Sequence, residues 1–155
     1  MMLARAAFAL TLLAVHHWSS GPAIAGSEDV VVERAWARAS VGTSRPGAVY
    51  MTIRNDGTET VTLTGLQTDL STRSEIHRTS MTAQGVTSMA PVGEVEVRPG
   101  DLVDLKPGGL HVMLMGLNHP MVKGETFTLT LVFSDDGKVV VDVPILSIGA
   151  RGLDD

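Results

Sequence analysis

FTLTLVFSDDGKVVVDVPI, residues 127 to 145, sets the fold class. Phe127, Leu129, Leu131 and Phe133 occupy every second position, Asp136-Gly137 marks a tight turn, and Val139, Val141, Val143 and Ile145 answer with the same period. Successive side chains of a strand point to opposite faces, so this spacing predicts a β-hairpin with one apolar face. The same period recurs upstream. Val30 to Arg38 opens the pattern, and Val49, Met51 and Ile53 then alternate with Tyr50 and Thr52 until Asn55-Asp56-Gly57 turns the chain. Val61 and Leu63 begin a third run. Arg98-Pro99-Gly100-Asp101 and Lys106-Pro107-Gly108-Gly109 are turn signals bracketing the short run Leu102 to Leu105. No segment past residue 26 holds a helical period. Short strands separated by turns at this spacing predict an all-β, single-domain β-sandwich of Greek-key type.

Composition narrows the function. The chain of 155 residues carries a formal charge of -5 and no basic cluster, which argues against nucleic acid and anionic membranes as partners. An acidic surface would attract a cationic donor or acceptor, weakly at physiological salt. Cysteine is absent, which removes disulfides, thiolate zinc sites, thiol redox chemistry and blue-copper centres. At the N-terminus, Arg5, the apolar run Ala6 to Val15 and the small-x-small sequence Ala23-Ile24-Ala25 form an export signal. That run is too short for a stable membrane anchor, and no cysteine follows it to take a lipid. The expected mature domain is residues 26–155, soluble and outside the cytoplasm. His16 and His17 fall in the removed segment and receive no role.

GGLHVMLMGL, residues 108 to 117, raises the chemical question. One face of such a strand carries Leu110, Val112 and Leu114, and the other carries His111, Met113 and Met115. Either the second face binds something soft, or both faces are buried and the methionines are packing. Upstream, Ser74 to Met81 and Val86 to Val92 read as a hairpin turning around residues 82 to 85, which brings His77 near Met89 across the strands. Two His-Met pairs result. Thioether sulfur is a poor ligand for calcium and magnesium, and zinc has little use for it. Cu(I) is soft and, being d10, makes few geometric demands, so two imidazoles and two thioethers suit it. Such ligands lose affinity in acid only as far as the histidines protonate.

The spacing His77, eleven residues, Met89, twenty-one residues, His111, one residue, Met113 resembles the His-Met signature of the periplasmic PCu(A)C copper chaperones. Ala35-Trp36-Ala37-Arg38, AVYMTIRN from Ala48 to Asn55, KPGG from Lys106 to Gly109 and HVMLMGL from His111 to Leu117 are similar to that family as well. The resemblance spans nearly the whole mature chain. It implies a cupredoxin-like sandwich holding one Cu(I) per chain through His77, Met89, His111 and Met113. It also implies delivery of that copper to an accepting protein, cytochrome c oxidase or its assembly factors, by a monomer in the periplasm. Two departures stand out. Arg78 occupies a position where such proteins sometimes carry methionine, which places a cation near the site. The C-terminus, Ala150 to Asp155, lacks the His and Met extension of some relatives, so no second copper site is expected there.

Taken singly, each candidate has a plainer reading. A lone methionine is more often core filling, as expected for Met51 and Met121, and His119 is expected to be a solvated loop residue. Met81 and Met115 lie close to proposed ligands, but the signature requires neither. The joint pattern outweighs these readings for the four proposed ligands. No nucleophile stands beside a base and no phosphate-binding loop is present, so the protein is not expected to be an enzyme. The competing reading is an exported Ig-like β-sandwich with a structural or protein-binding role and no metal. Electron transfer through copper is disfavoured by the missing cysteine.

Overall fold

A computed structural model describes residues 26–154. The export signal read over residues 1–25 therefore lies outside the described residues. After a 3-10 turn at Ser27–Asp29 the chain forms ten strands: β1 (Val30–Arg38), β2 (Gly47–Asn55), β3 (Val61–Gln67), β4 (Ser71–Met81), β5 (Thr87–Pro91), β6 (Val95–Val97), β7 (Leu102–Leu105), β8 (Leu110–Leu117), β9 (Thr126–Phe133) and β10 (Lys138–Leu146). Among the described residues no helix is long and apolar enough to cross a membrane.

The alternating hairpin forms as its period predicts. In β9 and β10, Leu131 lies opposite Val139, Leu129 opposite Val141 and Phe127 opposite Val143, so both apolar sets share one face. The turn is closed by the Phe133 N–H donating to the Gly137 carbonyl and the Asp136 N–H donating to the Phe133 carbonyl, 3.0 Å each. Asp136 sits at φ +62°, a left-handed conformation that Asp tolerates better than most residues.

Two leaves face each other across the core. The front leaf runs β5, β4, β8, β2, β1, with β7 alongside β2; the back leaf runs β10, β9, β3, β6. They join where β1 and β10 pair in parallel at Ala37 with Ile145 and Arg38 with Leu146. The links β2 to β3, β3 to β4, β5 to β6, β6 to β7 and β8 to β9 each cross between leaves, so neither leaf can form from one local stretch of chain. Val49, Met51, Ile53, Val112 and Leu114 of the front leaf are fully buried, as are Leu63, Leu129, Leu131 and Phe133 of the back leaf. Each such side chain contributes about 1.5–3 kcal/mol relative to exposure.

One polar residue lies within this apolar layer. Asn55 is 0% exposed; its Nδ2 donates to the carbonyls of Glu59 (2.7 Å) and Val97 (2.8 Å), and its Oδ1 accepts from the Gly57 N–H (2.9 Å). With every partner supplied, the buried amide clips the end of β2 to β6 of the opposite leaf. On β1 the register shifts between Glu33 and Trp36, with Arg34 at φ +54°. One extra residue in a strand reverses which face the following residues present. Hence Val32 before the bulge and Ala37 after it both pack on the core, while Trp36 turns to the outer face of the front leaf.

Candidate metal centre

The outer face of the front leaf gathers the histidines and methionines. β4 and β8 are antiparallel neighbours with His77 directly opposite His111, and the preceding pair, Ile76 and Val112, points into the core. The two imidazole centroids are 6.3 Å apart. Met113, opposite Glu75, is the next outward residue on β8. On β5, Met89 lies opposite Thr79, whereas His77 lies opposite Pro91. The sequence placed the two near one another as rough equidistants from a turn at 82 to 85. The loop actually spans residues 82 to 86, closed by the Thr82 N–H on the Val86 carbonyl at 2.9 Å, so Met89 is a diagonal neighbour of His77. Residues two apart share a face, and all four side chains therefore lie on one surface.

In its neutral form each histidine has one tautomer selected by a hydrogen bond. A carbonyl oxygen only accepts, so the 3.0 Å contact of His111 Nδ1 with the Gly109 carbonyl puts the hydrogen on Nδ1 and leaves the Nε2 lone pair free. His77 Nε2 donates to Glu75 Oε2 at 3.2 Å, which leaves its Nδ1 free. His111 is only 6% exposed and the His77 side chain only 12%, whereas Met89 is 54% exposed on an edge strand open along its whole length.

A wall of aromatic and cationic groups stands beside His111. The Tyr50 ring centroid is 6.4 Å from that of His111 and 4.5 Å from that of Trp36. Arg38 lies 5.4 Å over Tyr50 and 6.0 Å over Trp36, and its Nε donates to the Ala150 carbonyl at 2.7 Å. Ala150 and Leu153 of the C-terminal segment complete this outer cluster. Burial pushes the Tyr50 hydroxyl up, partly opposed by the Arg38 charge, so the phenol stays neutral. An open cleft of about 390 Å³ is lined by Tyr50, His111, Met113, Met89, Thr79, Arg38 and Arg45. Among the described residues no three of His, Cys, Asp and Glu are arranged so that they could hold a metal ion, and what the cleft offers is imidazole and thioether. That donor set fits a soft monovalent ion.

Residues 30–145 match the LpqE-like family, described as a lipoprotein family. The chain belongs to the LpqE-like family. Among its solved structural neighbours are PCuAC domains and a protein solved with Cu(I). The apo PCuAC domain of PmoF2 aligns over 80% of this LpqE-like chain and 94% of its own length, with TM-score 0.65 at 22% identity, a likeness of fold. Apo-DR1885 from Deinococcus radiodurans aligns over 98% and 97%, TM-score 0.59, at 28% identity; its Cu(I) form aligns over 74% and 78%, TM-score 0.53, at 31% identity. No curated protein sequence matches the chain. The family description speaks of a lipoprotein; the 155 residues of this member contain no cysteine.

The remaining residues singled out in the LpqE-like sequence fall as follows. Arg78 projects from the opposite face of β4 to His77, paired with Ala90 and Leu110, so it is not the cation beside the site. Arg38 and Arg45 line the cleft instead. The stretches holding Trp36, Arg38 and Tyr50 carried a family likeness but no sign of a role. Their one legible clue was Tyr50 in the outward phase of β2, and the β1 bulge that turns Trp36 outward has no local signature. Met51 and Met121 are buried core, His119 is exposed, and Met81 is 72% exposed. Met115 shares the outward phase with Met113, but its sulfur accepts from the Arg73 guanidinium at 3.2 Å.

Proposed function

We propose that this protein is an exported copper carrier that holds one Cu(I) through His77, Met89, His111 and Met113 and passes it to an accepting protein for assembly of cytochrome c oxidase. On this reading residues 1–25 are an export signal cleaved near Ala25, residues 26–155 are the copper-binding domain, and the protein acts as a monomer in the periplasm without catalysing a reaction. The observation that carries the proposal is the face shared by His77, His111, Met113 and Met89, with one nitrogen of each imidazole held by a hydrogen bond and the other without a hydrogen-bond partner among the contacts of the described residues. The likeness to the Cu(I) form of DR1885 at 31% identity supports copper as the cargo.

The differing exposure of the donors suggests how the ion would move. All four are neutral, so no charged ligand resists release, and a sulfur-containing shell disfavours oxidation to Cu(II). Met89, exposed on its edge strand, is the donor an acceptor can displace first, while buried His111 leaves last. The test is an anaerobic Cu(I) titration against a chromophoric chelator, with Zn(II) in parallel. One tight Cu(I) equivalent is expected, with affinity reduced about tenfold or more in His111→Ala and in Met113→Leu. If Met89→Leu and Met113→Leu both bind as tightly as the parent, the ligand set is wrong. If copper does not compete at all, a metal-free exported sandwich takes its place.

A further inference from the structure

The charge lining the cleft at His111 is opposite in sign to the charge of the molecule, and Glu75, the carboxylate bonded to His77, is paired with Arg73 and does not line that cleft. The chain as a whole carries -5, yet the charged residues lining the cleft at His111 are Arg38 and Arg45, with no carboxylate among them. A second cleft shares Arg38, Arg45 and Pro46 with the first and is also lined without Asp or Glu. Among the described residues no carboxylate pairs with either arginine, whereas Arg34, Arg54, Arg73 and Lys106 all have one. Arg38 is stacked on Tyr50 and Trp36 and tied to the Ala150 carbonyl, so its cation is held in place at little further entropic cost. Around these charges lie exposed apolar side chains, Val41 and Ile148 on one side and Met89 on the other. Exposed arginine, methionine and aliphatic surface in one patch is the composition of a protein interface rather than of a site for a small anion.

We infer that the protein exchanging copper with this site docks through carboxylates that surround its own metal-binding thiols, with Arg38 and Arg45 receiving them. This rests on the copper-carrier reading above. Cu(I) moves without change of oxidation state: each accepting thiol releases a proton to solvent as its thiolate binds, and the imidazoles and thioethers are left neutral. Two carboxylates placed against the arginines would bring the thiols over the exposed Met89, the donor that gives way first. Net charge would favour a basic partner, so the local and global fields make opposite predictions.

The experiment measures rates of Cu(I) transfer from the loaded protein to two synthetic peptides that share one Cys-x-x-Cys pair, flanked by glutamates in one and lysines in the other. At about 10 mM salt the glutamate peptide is expected to react roughly tenfold faster. That advantage should shrink at about 150 mM, where screening acts within about 8 Å. Arg45→Glu, an exposed substitution, is expected to reverse the order while leaving equilibrium Cu(I) affinity within about twofold of the parent. Equal rates, or a lysine peptide that reacts faster with the parent, would overturn the inference while leaving the carrier intact. A parent that binds no Cu(I) removes the carrier reading and this inference with it. Sedimentation of the parent and of Arg45→Glu covers the remaining occupant. Self-association of the parent that is lost in Arg45→Glu would assign the patch to a second copy of the chain and overturn the proposal.

Discussion

A histidine that is to bind Cu(I) must present one unprotonated nitrogen, and the two here achieve this with different ring atoms. His111 gives Nδ1–H to a backbone carbonyl two residues away, a partner that no side-chain substitution removes. His77 gives Nε2–H to Glu75, whose carboxylate is steadied in turn by Arg73 at 3.3 Å. Outer partners of this kind orient a ligand and raise its basicity. Glu75→Ala is therefore expected to lower Cu(I) affinity about tenfold, read by competition with a chelator, with little change in thermal midpoint because exposed ion pairs contribute about 0–1 kcal/mol. An unchanged affinity would mean that His77 either is no ligand or needs no help to hold its tautomer. The same Arg73 donates to the Met115 sulfur, which gives that outward methionine a partner of its own beside the proposed shell.

Among the elements, β1 has the most consequential irregularity. Its bulge places Arg34 at φ +54°, and without the extra residue Trp36 would point into the core and Tyr50 would lose its stacking partner beside His111. A non-glycine residue in this region costs about 1–2 kcal/mol, more if β-branched. Arg34→Val is expected to destabilise the fold by about 1–2 kcal/mol and Arg34→Gly to be neutral or mildly stabilising, measured by urea denaturation. Equal losses in both would point to the exposed Asp154 contact rather than the backbone. The β4–β5 hairpin shows how much one loop residue matters. Its five-residue loop puts Met89 opposite Thr79 and keeps it on the outer face, and a shift of one residue would turn it to the opposite face.

At the scale of the molecule, the start of the described chain is tied to the β9–β10 turn, because the Ser27 N–H donates to Asp135 Oδ2 at 2.7 Å. That bond holds the Asp135 carboxyl below its ordinary value against the opposing effect of burial, and a bond from the Gly137 N–H adds to it. A folded pKa below the unfolded one adds stability that is complete above about pH 4 and disappears as pH falls through the lowered value. Thermal midpoints of the parent and Asp135→Asn should therefore differ near neutrality and converge in acid. A gap that persists into acid would assign the effect to packing. The alternation in β2, β9 and β10 made the sandwich legible, since period two is a property of consecutive residues. β6, three residues long, is too short to carry such a period. For the proposed site, the sequence by itself determined which side-chain types are on offer, the outward phase of His111 and Met113, and the nearness of Met89 to His77, all consequences of local spacing. Only the tertiary structure decided that His77 lies directly across from His111, that Arg38 and Tyr50 stand beside His111, and that Arg78 projects from the other face. Those relations depend on the register between strands distant in the chain and on a bulge in a third strand, and neither is encoded in any short run of residues.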